Sequence, residues 1–94
     1  MAAETNDMLV YMVDRDLPGF TSAQLLALQQ AAIAACRRFT AQGRPIQYLR
    51  SMFVPGESRC MCLFAAPEPA LVRMVNEAAQ LPFTRIVEAL DLAP

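Results

Sequence analysis

The chain predicts an α+β domain of the split βαβ kind, in the order β-α-β-β-α-β. Three observations predict it. Four short runs rich in β-formers are too brief to be buried helices. Two longer segments between them carry apolar residues at helical spacing. The middle two runs are joined by a Pro-Gly turn, so they read as a hairpin.

The elements follow in chain order. Residues 1–7 read as a loose leader ahead of a single domain spanning residues 8–92. The apolar run Met8–Val13 reads as a strand buried on both faces, closed by Asp14-Arg15-Asp16 and broken by Leu17-Pro18-Gly19. Thr21 then sits three residues before Gln24, a capping box, with Phe20 and Leu25 at the staple positions. Leu25, Leu28, Ala32, Cys36 and Phe39 form the inner stripe of that helix, and Gly43 and Pro45 end it. Ile46–Val54 is the second strand. Pro55-Gly56 suits the centre of a type II turn, and Arg59–Phe64 returns as the third strand. Pro69 near a first helical position opens the second helix, whose inner face is Leu71, Val75, Ala78 and Ala79 and whose end is Pro82. Arg85–Leu90 is the fourth strand. Right-handed crossovers place both helices on one face of a four-stranded antiparallel sheet, the ferredoxin-like arrangement. The Cys spacing does not suit an iron–sulfur cluster.

The alternation implies more than the order does. A sheet covered by helices on one side only has polar residues at every second strand position. Here Leu9, Tyr11 and Val13 oppose Met8, Val10 and Met12, and Met61 and Leu63 oppose Cys60, Cys62 and Phe64, so both faces are apolar. The chain has no spare element for the second face. The expectation is a homodimer of the dimeric α+β barrel type, packed sheet on sheet.

Composition narrows the function. The 94 residues carry 8 basic and 9 acidic side chains, a net charge of −1, so nothing in them suggests a phosphate backbone and no nucleic-acid partner is expected. The cluster Arg37, Arg38 and Arg44 is too sparse to alter that. No apolar run is long enough to span a bilayer. The acidic, polar start is unlike a secretory signal, and three Cys cannot all pair internally, so reduced thiols in the cytoplasm are expected. The chain has no His, the commonest general base and metal ligand. The six Met read as core filler.

Three constellations carry chemistry. Cys60 and Cys62, two apart on a strand, point to one face with Cα atoms about 6.5–7 Å apart, at the limit for a disulfide. They either offer two thiolates to a soft transition metal ion, with Cys36, Met or a carboxylate completing the set, or pack as small hydrophobes beneath the helices. Tyr11, Ser51 and Glu88 lie within strands among apolar neighbours, and parity allows all three on the dimer side. Glu88 there would be an acid or base of raised pKa, with the two hydroxyls orienting a ligand. Alternatively Glu88 pairs with Arg50 or with an Arg of the other subunit. Asp14-Arg15-Asp16 either presents carboxylates to a hard cation or is a solvated strand end.

Tyr11-Met-Val-Asp-Arg-Asp-Leu-Pro-Gly19, Tyr48-Leu-Arg-Ser51, Arg59-Cys-Met-Cys62 and Leu81-Pro82 followed by Arg85-Ile-Val-Glu88 together resemble a family of small bacterial proteins, mostly of unknown function, with a nickel-binding branch. The resemblance covers about residues 8–92. It implies the ferredoxin-like fold, a dimeric arrangement and bound metal. Many relatives place a His in the second helix, where this chain has Val75 with Asn76 beside it. Without an imidazole the nickel expectation loses its preferred donor. The expected function is a small homodimeric binding protein holding an organic ligand or a metal ion near the sheet face or dimer seam. The alternatives are a cofactor-independent enzyme using Glu88 and a structural dimer without ligand.

Overall fold

A computed structural model describes residues 8–94; the leader expected at residues 1–7 lies outside them. Strand β1 (Leu9–Asp16) is followed by helix α1 (Ser22–Ala41), strands β2 (Gln47–Val54) and β3 (Arg59–Ala66), helix α2 (Pro69–Ala78) and strand β4 (Arg85–Ala89). The strands form one antiparallel sheet in the order β2-β3-β1-β4, so the split βαβ arrangement holds. The cap of α1 is as expected. Thr21 Oγ1 accepts from the Gln24 N–H at 3.2 Å, and the Thr21 N–H donates to Gln24 Oε1 at 2.8 Å. Pro69 stands in the first turn of α2.

Local details differ in two places. The β2–β3 connection is not a type II turn on Pro55-Gly56. Pro55–Glu57 form a 3-10 turn, and Ser58 takes the left-handed conformation at φ +51°. Four residues lie between the paired ends Val54 and Arg59, so the positive φ falls at the last of them, not at Gly56. Helix α2 stops at Ala78, before Pro82 can act. Gln80 at φ +57° ends it in a Schellman motif, with the Leu81 N–H donating to Asn76 O at 3.0 Å and the Gln80 N–H to Glu77 O at 3.0 Å.

Register defines the two faces. Under the helices lie the cross-strand rows Glu88–Tyr11–Phe64–Tyr48, Ile86–Val13–Cys62–Ser51 and Arg15–Cys60–Phe53. The opposite face carries Ala89–Val10–Ala65–Gln47, Val87–Met12–Leu63–Arg50 and Arg85–Asp14–Met61–Met52. A bulge between Tyr48 and Arg50 shifts the parity of β2, so Tyr48 and Ser51 share the helix side. The core lies between sheet and helices, where Val13, Cys62, Phe64, Ala66, Ala32, Val72 and Val75 are fully buried.

The end of β1 is not a solvated tip. Asp14 is buried and Arg15 is 0% exposed; only Asp16 of the three faces water. Asp14 accepts two bonds from Arg59 at 2.9 Å and one from Arg85 at 3.2 Å, which commits its carboxylate to two guanidinium groups rather than to a hard cation. The Arg59 guanidinium foremost, with Arg85 beside it, holds the Asp14 carboxyl below the usual range despite its burial.

Candidate functional site: a buried arginine and a thiol pair

Arg15 ends the inward series Leu9, Tyr11, Val13, which carries its side chain into the core. A guanidinium keeps its charge throughout the working range, and burying it demands partners for its donors. Its Nη2 donates to Asn76 Oδ1 at 2.7 Å and its Nη1 to Pro82 O at 3.0 Å. Asn76 is oriented for this role because its amide nitrogen donates to Val72 O at 2.8 Å, one helical turn back. The third bond runs from Nε to Cys62 Sγ at 3.3 Å. Among the described residues no carboxylate lies within ion-pair distance of Arg15. The nearest group able to carry a negative charge is therefore the Cys62 sulfur.

Other donors converge on the same atom. Ser51 Oγ donates to Cys62 Sγ at 2.9 Å. Behind it stands a polarised chain: Gln29 Nε2, which can only donate, bonds the Tyr48 hydroxyl at 3.0 Å, and Tyr48 in turn bonds Ser51. The Cys60 and Cys62 sulfurs are 3.8 Å apart, close enough for the Cys60 thiol to donate to Cys62. Its bond with Cys60 foremost, then Arg15 and Ser51, bring the Cys62 thiol down to about 6 against the opposing cost of burial. The same bond pushes Cys60 up, and burial alone pushes Cys36 up to about 11. All three cysteines are free.

The predicted site residues separate into two groups. Tyr11, Ser51 and Glu88 do share a face, but it is the helix-covered one, not the open one. Tyr11 and Glu88 are directly paired across β1 and β4. Ser51, on β2, is two strands from Tyr11 and three from Glu88, roughly 10 and 15 Å at sheet spacing. Glu88 sits on an edge strand and is exposed, not enclosed among apolar neighbours. Tyr11 is buried, and burial, with the Glu88 charge second, pushes its phenol up. Arg50 lies on the open face and pairs with Asp91 at 2.5 Å, not with Glu88. Cys60 and Cys62 are together, as their spacing implies, and both are buried beneath the helices. Cys36 is absent from the bonded cluster. Among the described residues no three His, Cys, Asp or Glu side chains are grouped to hold a metal ion. A cation at the sulfur pair would meet two thiols where a structural zinc needs four donors, with a fixed guanidinium already beside one of them.

Sequence reasoning missed Arg15, Asn76, Tyr48 and Gln29. The available signal was the parity of Arg15 with Tyr11 and Val13.

A furrow between α1 and the edge strand β2 holds two separate hollows, the smaller of which reaches this cluster. The smaller, of about 280 Å³, is lined by Leu25, Leu28, Gln29, Phe53, Ser51 and Cys60. The larger, of about 580 Å³, lies among Ile33, Cys36, Thr40, Ile46 and Tyr48. Thr40 Oγ1 fixes that end, donating to Ile46 O at 3.0 Å and accepting from its N–H at 3.1 Å.

Comparison with known proteins agrees with this architecture. The solved structure of SCO4226 from Streptomyces coelicolor A3(2) superimposes with a TM-score of 0.73 at 24% sequence identity, covering 89% of this chain and 99% of that one. At that identity the likeness shows the fold. No curated protein matches the chain. A family model described as nickel responsive protein SCO4226-like matches residues 11–89, from the inward Tyr11 of β1 to the end of β4, and the chain belongs to that SCO4226-like family.

Proposed function

We propose that this chain is a small binding protein that acts as a homodimer, closed through its uncovered sheet faces, and takes a small organic ligand in the furrow between α1 and β2. The observation that carries the reading is the uncovered face itself. Val87, Met12 and Leu63 cross its middle, Val10 and Met61 flank them, and Met52 is 66% exposed. The charged groups stand toward its margins, Asp14 with Arg59 and Arg85 at one end and Arg50 with Asp91 at another. An apolar centre with a charged rim is the anatomy of a protein interface, and a second copy supplies a matching surface by symmetry. The furrow supports the ligand: it is largely apolar, with the Gln29 amide and the hydroxyls of Tyr48, Ser51 and Thr40 along it. Three free thiols suit a reducing compartment, the cytoplasm. No helix among the described residues is long and apolar enough to cross a membrane.

Nickel, which the family's description suggests, does not fit the residues present. Nickel(II) favours nitrogen donors in a tetragonal set, and the chain has no His. Val75, where the resemblance places that His, is fully buried, and its neighbour Asn76 is committed to Arg15 and Val72.

Native mass spectrometry of protein purified without an affinity metal tests the reading. The expected species is a dimer that carries an organic mass and no nickel. A monomer at micromolar concentration contradicts the assembly. A dimer that neither retains nor takes up any organic mass from a small-molecule library contradicts the ligand.

A further inference from the structure

We propose that Cys62 is held as a thiolate, serving as counter-ion to the buried Arg15, and that it is a site of oxidation by hydrogen peroxide and similarly small hydroperoxides. The geometry argues this independently of the dimer and of the organic ligand. The Cys62 sulfur accepts from Arg15 Nε and Ser51 Oγ and lies 3.8 Å from Cys60 Sγ, a thiol able to donate to it, an arrangement that stabilises a negative sulfur. Arg15 is 0% exposed with two neutral oxygens as its other partners, so a neutral Cys62 would leave a buried positive charge uncompensated. Cys60 and Ser51 line the smaller hollow and both bond Cys62, which does not itself line it. Cys62 itself is 0% exposed. That barrier favours an oxidant scarcely larger than water over bulky electrophiles.

The Cys62 thiolate attacks one peroxide oxygen, an S–O bond forms and the O–O bond breaks. Sulfur is oxidised by two electrons, giving a sulfenic acid once the retained oxygen keeps its proton. The other oxygen leaves as hydroxide and takes up a proton from solvent to become water. Condensation with Cys60 would release a second water. The strand holds the two Cα atoms about 6.5–7 Å apart, at the edge of disulfide geometry, so the sulfenic acid is the product expected to accumulate.

The test is the rate of peroxide oxidation of the intact folded protein at about pH 6.5 and pH 8, each time point quenched into denaturant containing dimedone so that the opened chain is trapped, with peptide mass mapping. An ordinary cysteine, with a pKa of about 8.5, slows roughly 20-fold between these conditions as its thiolate is lost. Cys62 is expected to slow less than twofold and to carry the adduct. The groups around it that bear on this profile are Arg15 on β1, Cys60 on β3 and, through Ser51, Tyr48 on β2; α1 and α2 contribute the amides of Gln29 and Asn76. Ser51→Ala removes one charge-assisted bond and is expected to slow the reaction about threefold or more at the lower pH, with the fold kept. Cys62→Ser is expected to abolish trapping. A Cys60–Cys62 disulfide formed with the same flat pH profile also supports the proposal. Adducts confined to Cys36 or Cys60, or a rate that tracks an ordinary cysteine, overturn it.

Discussion

Arg15→Met is expected to be the most destabilising single substitution in this chain, at about 3–5 kcal/mol, the range for removing one partner of a buried ion pair. Methionine nearly fills the volume. It cannot satisfy Asn76 Oδ1 and Pro82 O, and it leaves the Cys62 sulfur without its cation. Total stabilities of about 5–15 kcal/mol make such a loss visible as a fall in Tm of 10 °C or more. The pair interpretation adds a second expectation. Cys62→Ala also destabilises, by stranding Arg15, but the double variant loses markedly less than the sum of the two. A double-mutant cycle from thermal or urea unfolding measures this coupling. Additive losses would mean that Arg15 and Cys62 are neighbours and not a charge pair.

Leu63→Arg is expected to abolish the dimer with little effect on the monomer's fold. Leu63 lies in the middle row of the open face between Met12 and Arg50, and its side chain is not part of the core under the helices. A C2 interface brings two copies of any central substitution into one buried region, so both new charges would be desolvated together. A loss of a hundredfold or more in dimer affinity follows from about 3 kcal/mol. Sedimentation of the variant beside the parent, with circular dichroism to establish folding, checks it. A folded variant that still dimerises would place the interface elsewhere.

The fold was legible because its signals are local. Thr21 with Gln24, Phe20 with Leu25, and Pro69 each declare a helix start within a few residues. The paired apolar sets of β1 and β3 likewise state that both sheet faces need cover. The site was less legible because its members meet only through tertiary register. Arg15 reads as a strand end from its neighbours Asp14 and Asp16, while its partners Asn76 and Pro82 are more than sixty residues away. The β2 bulge places Tyr48 and Ser51 on one side at an offset of three, which simple alternation assigns to opposite sides. The Cys60–Cys62 pair could be seen in the sequence, but not the charge beside it. That charge turns a candidate metal pair into one thiol and one thiolate. The Tyr11–Ser51–Glu88 grouping failed for the converse reason: parity gave a shared face, while strand order spread the three across it.

Direct titration of the cysteines in the folded protein is the sharpest test of whether a thiolate neutralises the buried arginine. A Cys62 value below that of the unfolded chain makes folding more favourable as pH rises, from about 6 until the unfolded thiol itself ionises near 8.5. Above that point Cys36 and Cys60, both raised, oppose folding, so stability should peak near pH 8. In protein labelled with carbon-13 at the cysteine Cβ positions, one resonance should titrate with a midpoint of about 6 and disappear in Cys62→Ser, while that of Cys36 titrates with a midpoint of about 11. Three resonances that all remain in the thiol form up to about pH 8 would contradict the account.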